Sequence, residues 1–350
     1  MSVHGESRRS VTPPHERRDQ AIPHIIALRD LAADERNRFT KHAAQLGFHR
    51  YARGVYLERD KIRHLDDRDR KTLVIAAERI CNPQAIVCGL SAAHLLGLPM
   101  SYSEEPERVN LGYLVPKRKV HGRSVDRKLC AGAVHHAIPV ATVWGEIRVT
   151  SVAHTIVDVA RWESLEAAVV MGDYALKRGL LKRSELEAAL GDARGCSGIK
   201  RAQHLSGLVS SKSESPRESE LKVQMWEEGL PAPLQQAVIC RADNGLFVAR
   251  ADYLFEEEQV AVEYDGEGKY RGQYSQKSLQ EVLLEERRRQ TYLENLGICV
   301  IRVERQSFRN GLGVRDIRSA LESRKGLCEP KRFVIGGGEL AWRKPRRRRR

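Results

Sequence analysis

The sequence predicts an α/β fold, which is α+β when the whole chain is considered. The main observation is the order strand, strand, strand, helix, strand between Ala237 and Val303. Helix start and stop signals before and within that stretch are the second observation. With 350 residues, the chain is long enough for two domains, each with its own core.

The N-terminal segment predicts a flexible arm over residues 1–20, which are polar and rich in arginine. Within residues 21–60 we predict helices at Ile25–Leu31 and Asp34–Leu46 and a basic strand at His49–Leu57. Helices followed by a basic strand favour a small winged helix-turn-helix. A helical cap with a solvated basic face accounts for the same pattern. In the first reading, the cations that face DNA are Arg36, Arg38, Lys41, Arg50 and Arg53.

Residues 61–205 predict a mixed domain of helices and strands. The expected helices are Asp69–Ile80, Val152–Arg161, Ser164–Arg178 and Ser184–Leu190, and the expected strands are Val109–Val115 and Glu146–Val149. Ser184 with Glu187 matches a capping box. His135 and His136 are adjacent, and adjacent side chains of a strand face opposite ways, so no shared metal site is expected there.

A serine-rich segment from residue 206 to 215 predicts a domain boundary, with a second domain over residues 206–325. That domain opens with Ser215 as a helix N-cap, Pro216 at the first helical position and Glu218 completing the capping box. Glu218 has a second possible role, since it could also point toward a metal site. The helix is expected to end at Gly229.

The acidic hairpin from Arg250 to Tyr270 carries the candidate chemistry. Two strand-like stretches, Tyr253–Phe255 and Val260–Tyr264, flank the run Glu256–Glu258. A turn centred between Glu257 and Glu258 would pair Asp252 with Glu263, with their Cβ atoms about 5 Å apart. Asp265 would share the face of Glu263.

Three carboxylates, Asp252, Glu263 and Asp265, form an oxygen-only ligand set, which suits Mg²⁺ or Mn²⁺. Any antiparallel hairpin can carry acids on its solvent face, which is the alternative. The apolar neighbours of Glu263 favour the metal site, because an idle charge there would be costly. A helix is expected from Ser278 to Leu296, with Glu286 and Arg289 on or beside its buried stripe. These two residues would pair with each other or help build the site.

The net charge of +14 predicts a polyanionic partner, either nucleic acid or an anionic membrane surface. Residues 326–350 predict a basic disordered tail that binds phosphate, through Arg346, Arg347 and Arg348 among others, or that only aids solubility. The seven cysteines are scattered without a C-x-x-C pair, which fits a reducing cytosol. Without an apolar run of membrane-spanning length or a signal-peptide core, the sequence predicts a soluble, cytoplasmic protein without a membrane partner.

Residues 213–321 resemble the very-short-patch-repair (Vsr)-like branch of the PD-(D/E)XK endonuclease superfamily. The matching motifs are Ser215-Pro216-x-Glu218, Asp252, Val262-Glu263-Tyr264-Asp265-Gly266, Glu286-x-x-Arg289-x-x-x-Leu293-x-x-x-Gly297 and Val300-Ile301-Arg302-Val303. The resemblance implies a restriction-endonuclease-like α/β/α domain and metal-dependent cleavage of DNA. It also implies that Asp252 and Glu263 hold Mg²⁺ and that Glu218 or Asp265 completes the shell.

One position departs from this family. Active members usually carry a lysine two residues after the motif glutamate, and here that residue is Asp265. Lys269 could supply the cation, and Lys269 or Arg289 would then stabilise charge on the phosphate.

The N-terminal two thirds is similar to AbiEi-type antitoxins of toxin-antitoxin systems. The motifs are Arg53-Gly54-Val55-Tyr56, Gly89-x-Ser91-Ala92-Ala93-x-Leu95-x-Gly97 and Val149-Thr150-Ser151-x-x-x-Thr155-x-x-Asp158. This similarity implies a DNA-binding winged helix and a possible cognate toxin. Two functions follow as hypotheses: a metal-dependent DNA endonuclease, or a DNA-binding regulator or antitoxin whose nuclease fold is inactive.

Overall fold

The computed structural model describes residues 22–100, 108–113, 125–129, 132–265, 279–326 and 330–343, except the side chains of 127, 129 and 279–286. It is a mixed α/β structure with three sheets, which confirms the predicted class at that level. The chain divides into a first unit, residues 1–85, 121–123 and 141–147, and a second unit, residues 86–120, 124–140 and 148–350. Among the described helices, none is both long and apolar enough to cross a membrane.

The first unit contains a small antiparallel sheet in the order β1-β3-β2. Its elements are β1 (Ile25–Ala27), a 3-10 turn (Leu28–Asp30), α1 (Ala33–His42), β2 (Phe48–Ala52), β3 (Val55–Glu58), α2 (Arg59–Ile62) and α3 (Asp67–Cys81). The helix predicted at Ile25–Leu31 is wrong, because β-branched Ile25 and Ile26 pair with β3 instead. The single strand predicted at His49–Leu57 is a hairpin, since Gly54 adopts φ +79° at its turn.

Aromatic packing fixes α1 against this hairpin. Phe39 on α1 lies edge-on to Phe48 and Tyr56, with ring centroids 5.4 Å and 5.2 Å away. Such edge-to-face pairs add about 0.5–1.5 kcal/mol to the burial of the rings. These contacts pack the helix against the hairpin.

A five-stranded sheet in the order β6-β5-β4-β8-β7 follows in the chain, and most of its residues belong to the second unit. Its strands are β4 (Ile86–Val87), β5 (Val109–Tyr113), β6 (Val125–Leu129), β7 (Ile138–Thr142) and β8 (Gly145–Val149), and the helices around and after it are α4 (Gly89–Leu95), α5 (Val152–Trp162), α6 (Leu165–Lys177), α7 (Arg183–Asp192), α8 (Ile199–Ala202) and α9 (Leu205–Leu208). A 3-10 turn covers Ala133–His136. The capping box predicted at Ser184 is displaced, because Glu185 accepts a hydrogen bond from the Lys182 N–H at 2.8 Å.

The C-terminal part of the second unit is a five-stranded sheet in the order β12-β11-β10-β9-β13. Its elements are α10 (Pro216–Glu227), β9 (Leu234–Arg241), β10 (Phe247–Phe255), β11 (Val260–Asp265), α11 (Leu279–Asn295), β12 (Cys299–Glu304), α12 (Arg305–Arg309), α13 (Leu312–Arg324) and β13 (Phe333–Leu340). Leu293 of α11 packs on one face of the sheet, against Leu254 and Ala261. Helices α10 and α13 cover the other face, where Tyr253 and Val262 are buried. The result is an α/β/α arrangement.

One hydrophobic core continues across the boundary expected at residue 206. It joins Met171 and Leu205 to Leu221 of α10 and Val262 of β11. The segment after α9 is held by the buried Asp173 carboxylate, which accepts hydrogen bonds from the Ser210 N–H at 2.7 Å and the Ser213 hydroxyl at 2.6 Å. The units of this structure therefore divide near residue 85, and the serine-rich segment is an internal connection.

The tail predicted over residues 326–350 is wrong for residues 333–342. Residues 333–340 form β13, an edge strand antiparallel to β9 that accommodates its glycines with two register shifts. Ala341 and Trp342 then enter the core of the second unit. Arg346, Arg347 and Arg348 lie outside the described residues.

Replacing Trp342 with alanine is expected to lower the free energy of unfolding by about 3–5 kcal/mol, since the side chain is 7% exposed and its removal leaves a cavity. Denaturant titration followed by circular dichroism measures the change. The matched control is Tyr292→Ala, an aromatic residue that is 55% exposed and should change stability by about 0.5 kcal/mol at most. Equal losses in both variants would show that Trp342 is not part of the core.

Candidate functional site

The hairpin of β10 and β11 has the register predicted from its acidic turn. Tyr253 pairs with Val262 and Phe255 with Val260, which places Asp252 opposite Glu263. Beyond the last pair, Oδ2 of Asp252 accepts a hydrogen bond from the Tyr264 N–H at 2.9 Å. The side chain of Asp252 is therefore held against the neighbouring strand.

A row of polar residues crosses the sheet at this level. Residues 235 and 237 of β9 pair with residues 253 and 251 of β10, respectively. Gln236, which lies between them, is therefore opposite Asp252. Glu263 of β11 is in register with Arg302 of β12. We call Gln236, Asp252, Glu263 and Arg302 the polar row. Sequence reasoning missed Gln236 and Arg302 as site residues.

Glu263 is buried, and both of its carboxylate oxygens accept from one arginine. Arg289 on α11 donates to Oε1 at 2.7 Å and to Oε2 at 2.6 Å. A two-point arginine–carboxylate contact fixes the carboxylate plane as well as neutralising its charge. The guanidinium Nε of Arg302 lies 4.0 Å from Oε2. The structure thus brings Glu263 and Arg289 together.

Glu218 joins the polar row from α10. As predicted, Ser215 caps this helix and accepts from the Glu218 N–H, and the Ser215 hydroxyl donates to Oε1 of Glu218 at 2.9 Å. Oε2 accepts from the Glu214 N–H at 2.8 Å and from Nε2 of Gln236 at 3.1 Å. The same Nε2 lies 3.4 Å from Oδ1 of Asp252, so one amide links two carboxylates.

Glu218 and Asp252 lie so close together that a negative charge on both carboxylates is unfavourable. Burial raises the pKa of Glu218, and the nearby negative charge of Asp252 raises it further. Gln236 reaches both acids from a backbone with φ +53°, a conformation that few residues other than glycine adopt. Its Oε1 is buried and has no hydrogen-bond partner among the described residues. Backbone strain and an unsatisfied acceptor together make Gln236 a candidate site residue.

The structure says less about the remaining predicted site residues, Asp265, Lys269 and Glu286. Asp265 is half-buried at the end of β11, in register with Glu304 of β12. The carboxylate oxygens of Asp252, Glu263 and Asp265 do not all lie within 4.8 Å of one another. A different group of described residues, taken up below, does meet this spacing. Lys269 and the side chain of Glu286 lie outside the described residues.

The predicted DNA-facing cations of the first unit are all exposed. Arg38 and Lys41, three residues apart, project from the same side of α1. Arg36 lies on roughly the opposite side, because two residues turn a helix by about 200°. Its guanidinium donates to the Leu31 carbonyl at 3.1 Å. Arg50 lies on β2, and Arg53 lies in the β2–β3 turn.

No family model matches the chain. The chain is similar to the uncharacterized proteins MT2308 and Rv2248 of two Mycobacterium tuberculosis strains, with 34% identity over 116 residues in each case. These residues make up 33% of this chain and 42% of each relative, so the chain spans less than half the length of the curated relatives it matches.

Proposed function

We propose that the second unit is a metal-dependent DNA endonuclease whose active site is built on the polar row. The observation that carries this proposal is the opposition of Asp252 to Glu263, with Glu218 linked to Asp252 through Gln236. The side chains come from a helix and from adjacent strands of one sheet. Sites supported by such rigid elements hold their geometry better than sites on loops.

The chemistry of these side chains would suit a hard divalent cation. Glu218 and Asp252 are like charges close enough for one to raise the pKa of the other, and a cation would lower that cost. The buried Oε1 of Gln236 adds an acceptor without a hydrogen-bond partner among the described residues. Oxygen ligands of this kind suit Mg²⁺ or Mn²⁺.

Each residue has a role in this proposal. Asp252 and Glu263 would hold the ion, and Glu218 or Asp265 would complete the oxygen shell. Bound there, the ion lowers the pKa of a coordinated water and neutralises charge on the phosphate. Arg289 fixes the orientation of Glu263 through its two hydrogen bonds. Arg289 or Lys269 would stabilise negative charge on the phosphate, a role that an arginine can combine with positioning because it carries five donors.

The second candidate function is a DNA-binding regulator or antitoxin with an inactive nuclease fold. The contact between Arg289 and Glu263 favours this second function, because Arg289 donates to both carboxylate oxygens of Glu263. A cation must share or displace these bonds to reach Glu263. In the regulator, the Glu263–Arg289 pair is a permanent structural ion pair between sheet and helix.

Incubating the purified full-length chain with supercoiled plasmid tests the two functions. The endonuclease converts the plasmid to nicked or linear DNA with Mg²⁺ or Mn²⁺, and excess chelator stops the conversion. A regulator shifts the same DNA on a gel and leaves it intact. Binding without cleavage in both metals would reject the endonuclease.

We also propose that α1 and the β2–β3 hairpin of the first unit bind DNA as a winged helix. Arg38 and Lys41 would approach the DNA from the helix, and Arg50 and Arg53 from the wing. The fixed packing of Phe39 on the hairpin would hold helix and wing in one orientation. Arg36 lies on roughly the opposite side of α1 from Arg38 and Lys41, so this proposed surface leaves it out.

Changing Arg50 and Arg53 together to alanine is expected to weaken DNA binding at least tenfold. Loss of two phosphate contacts should also reduce the slope of log affinity against log salt by about 2. Fluorescence anisotropy over a salt series, with DNA from upstream of the gene, measures both quantities. Arg68→Ala, another exposed arginine of the first unit, is the control and should leave both unchanged. An unaltered salt slope in the double variant would remove the hairpin from the DNA interface.

A further inference from the structure

A histidine–aspartate cluster lies in the second unit, apart in sequence from the polar row. His136 ends the 3-10 turn, His154 lies in the first turn of α5, and Asp192 is the last residue of α7. One ligand atom from each residue lies within 4.8 Å of the other two. Oδ2 of Asp192 is 3.0 Å from Nε2 of His154 and 3.4 Å from Nε2 of His136.

The local structure holds two of these side chains in place. Ser151 caps α5, and its hydroxyl lies 2.8 Å from Nδ1 of the buried His154, which leaves Nε2 directed at Asp192. A partner on the second ring nitrogen is the usual way in which a ligating histidine is oriented. Gly132 packs so closely on α7 that an added Cβ would lie 2.6 Å from Cβ of Asp192. This close approach brings the 3-10 turn, and with it His136, to the carboxylate.

The two distances from Oδ2 of Asp192 match those between neighbouring ligands around one ion. With bonds of about 2.0–2.1 Å to nitrogen and oxygen, adjacent ligands lie roughly 3.0–3.4 Å apart. Two imidazoles and a carboxylate are a borderline donor set, which prefers Zn²⁺ over Mg²⁺.

We propose that His136, His154 and Asp192 bind Zn²⁺ and fasten the 3-10 turn to α5 and α7. The two rings lie nearly parallel, with centroids 4.9 Å apart, so the exposed His136 ring must rotate to direct its nitrogen at the ion. His154 and Asp192 need no such change. With three protein ligands, one position remains for water, beside a small cavity lined by Asp158, Arg161 and Cys196.

The histidine–aspartate cluster is independent of the proposed endonuclease site. The three ligands share no residue with the polar row. Because two of them are nitrogen donors, this site prefers a different metal from the oxygen ligands of the polar row. A bound Zn²⁺ also stabilises the folded state, because the unfolded chain does not hold the three ligands together.

The test is a competition between the full chain, freed of metal and of any affinity tag, and a chromogenic zinc chelator. We expect one equivalent of Zn²⁺ to bind, with affinity at least tenfold weaker in His136→Gln and in Asp192→Asn. His136 is exposed, so His136→Gln should fold as the parent does, which circular dichroism checks. The matched control is His135→Gln, which changes the adjacent exposed histidine and should bind Zn²⁺ normally.

Two results would overturn the proposal. One is a chain that takes up no Zn²⁺ at micromolar concentrations, which would leave Asp192 as a hydrogen-bond acceptor between two imidazoles. The other is equal loss of Zn²⁺ in His135→Gln and His136→Gln, which would place the metal elsewhere.

Discussion

Replacing Asp252 with asparagine is expected to lower the rate of Mg²⁺-dependent DNA cleavage by about 10²–10³-fold. Asparagine keeps an oxygen that can accept from the Tyr264 N–H, so the strand contact survives while the ligand charge is lost. A loss of this size corresponds to about 3–4 kcal/mol of transition-state stabilisation. Single-turnover cleavage of a labelled duplex measures it directly.

The companion variant is Glu263→Gln, with Glu257→Gln as its matched control. Both glutamates belong to the same hairpin, but Glu257 is exposed in the turn. We expect Glu263→Gln to lose cleavage as Asp252→Asn does and Glu257→Gln to cut at the parental rate. Cleavage that survives both Asp252→Asn and Glu263→Gln would place the active site elsewhere.

Removing the positive charge of Lys222 is expected to cause a large loss of stability. Its side chain is fully buried, and Nζ lies 2.6 Å from Oδ2 of Asp173, which is also buried. Hydroxyls of Ser213 and Ser219 donate to the same oxygen at 2.6 Å and 2.8 Å. Breaking a buried ion pair at one end leaves an uncompensated charge and costs about 3–5 kcal/mol.

A double-mutant cycle separates this charge effect from simple loss of packing. Lys222→Met removes the cation, Asp173→Asn removes the anion, and the double variant contains neither charge. Asparagine can still accept from the serine hydroxyls, so we expect the double variant to be more stable than either single one. Urea unfolding provides the three free-energy differences.

The exposed pair Lys331–Glu256 is the control for this cycle. Its atoms lie 2.9 Å apart, but the two side chains are 41% and 43% exposed. Lys331→Met should change stability by less than about 1 kcal/mol. If Lys222→Met costs no more than Lys331→Met, the buried network does not stabilise the connection between α6 and α10.

Local sequence signals were sufficient for the hairpin and for several helix ends. The acidic turn set the centre of the hairpin, and pairing by equal distance then put Asp252 opposite Glu263. Ser215 and Pro216 likewise marked the start of α10, because capping depends on residues close in sequence. These predictions needed no knowledge of distant contacts.

Long-range pairing determines the features that sequence reasoning missed. Gln236 joins the site because β9 pairs with β10, and no local pattern distinguishes it from Gln235. The His154–Asp192 contact joins two helices through the tertiary packing of α5 and α7. His136 was set aside because a strand was assumed, whereas residues 133–136 form a 3-10 turn.

Two errors came from residues whose local preference is weak. The run from Ile25 is short enough for helix or strand, and pairing with β3 decides for the strand. The cations at the end of the chain predicted a disordered tail that included the three glycines 336–338, yet β9 supplies pairing partners and Val238 packs against this stretch. In both cases a neighbouring strand overrides the local signal.

The most direct test of the proposed active site is a Mn²⁺ titration followed by electron paramagnetic resonance. A His154→Gln background removes the contribution of the histidine–aspartate cluster, so the signal reports on the polar row alone. In that background we predict one saturable Mn²⁺ site that Mg²⁺ displaces, lost when Asp252→Asn is added and retained when Glu257→Gln is added. Absence of saturable Mn²⁺ binding, or equal binding with and without Asp252→Asn, would contradict a metal site at Asp252 and Glu263.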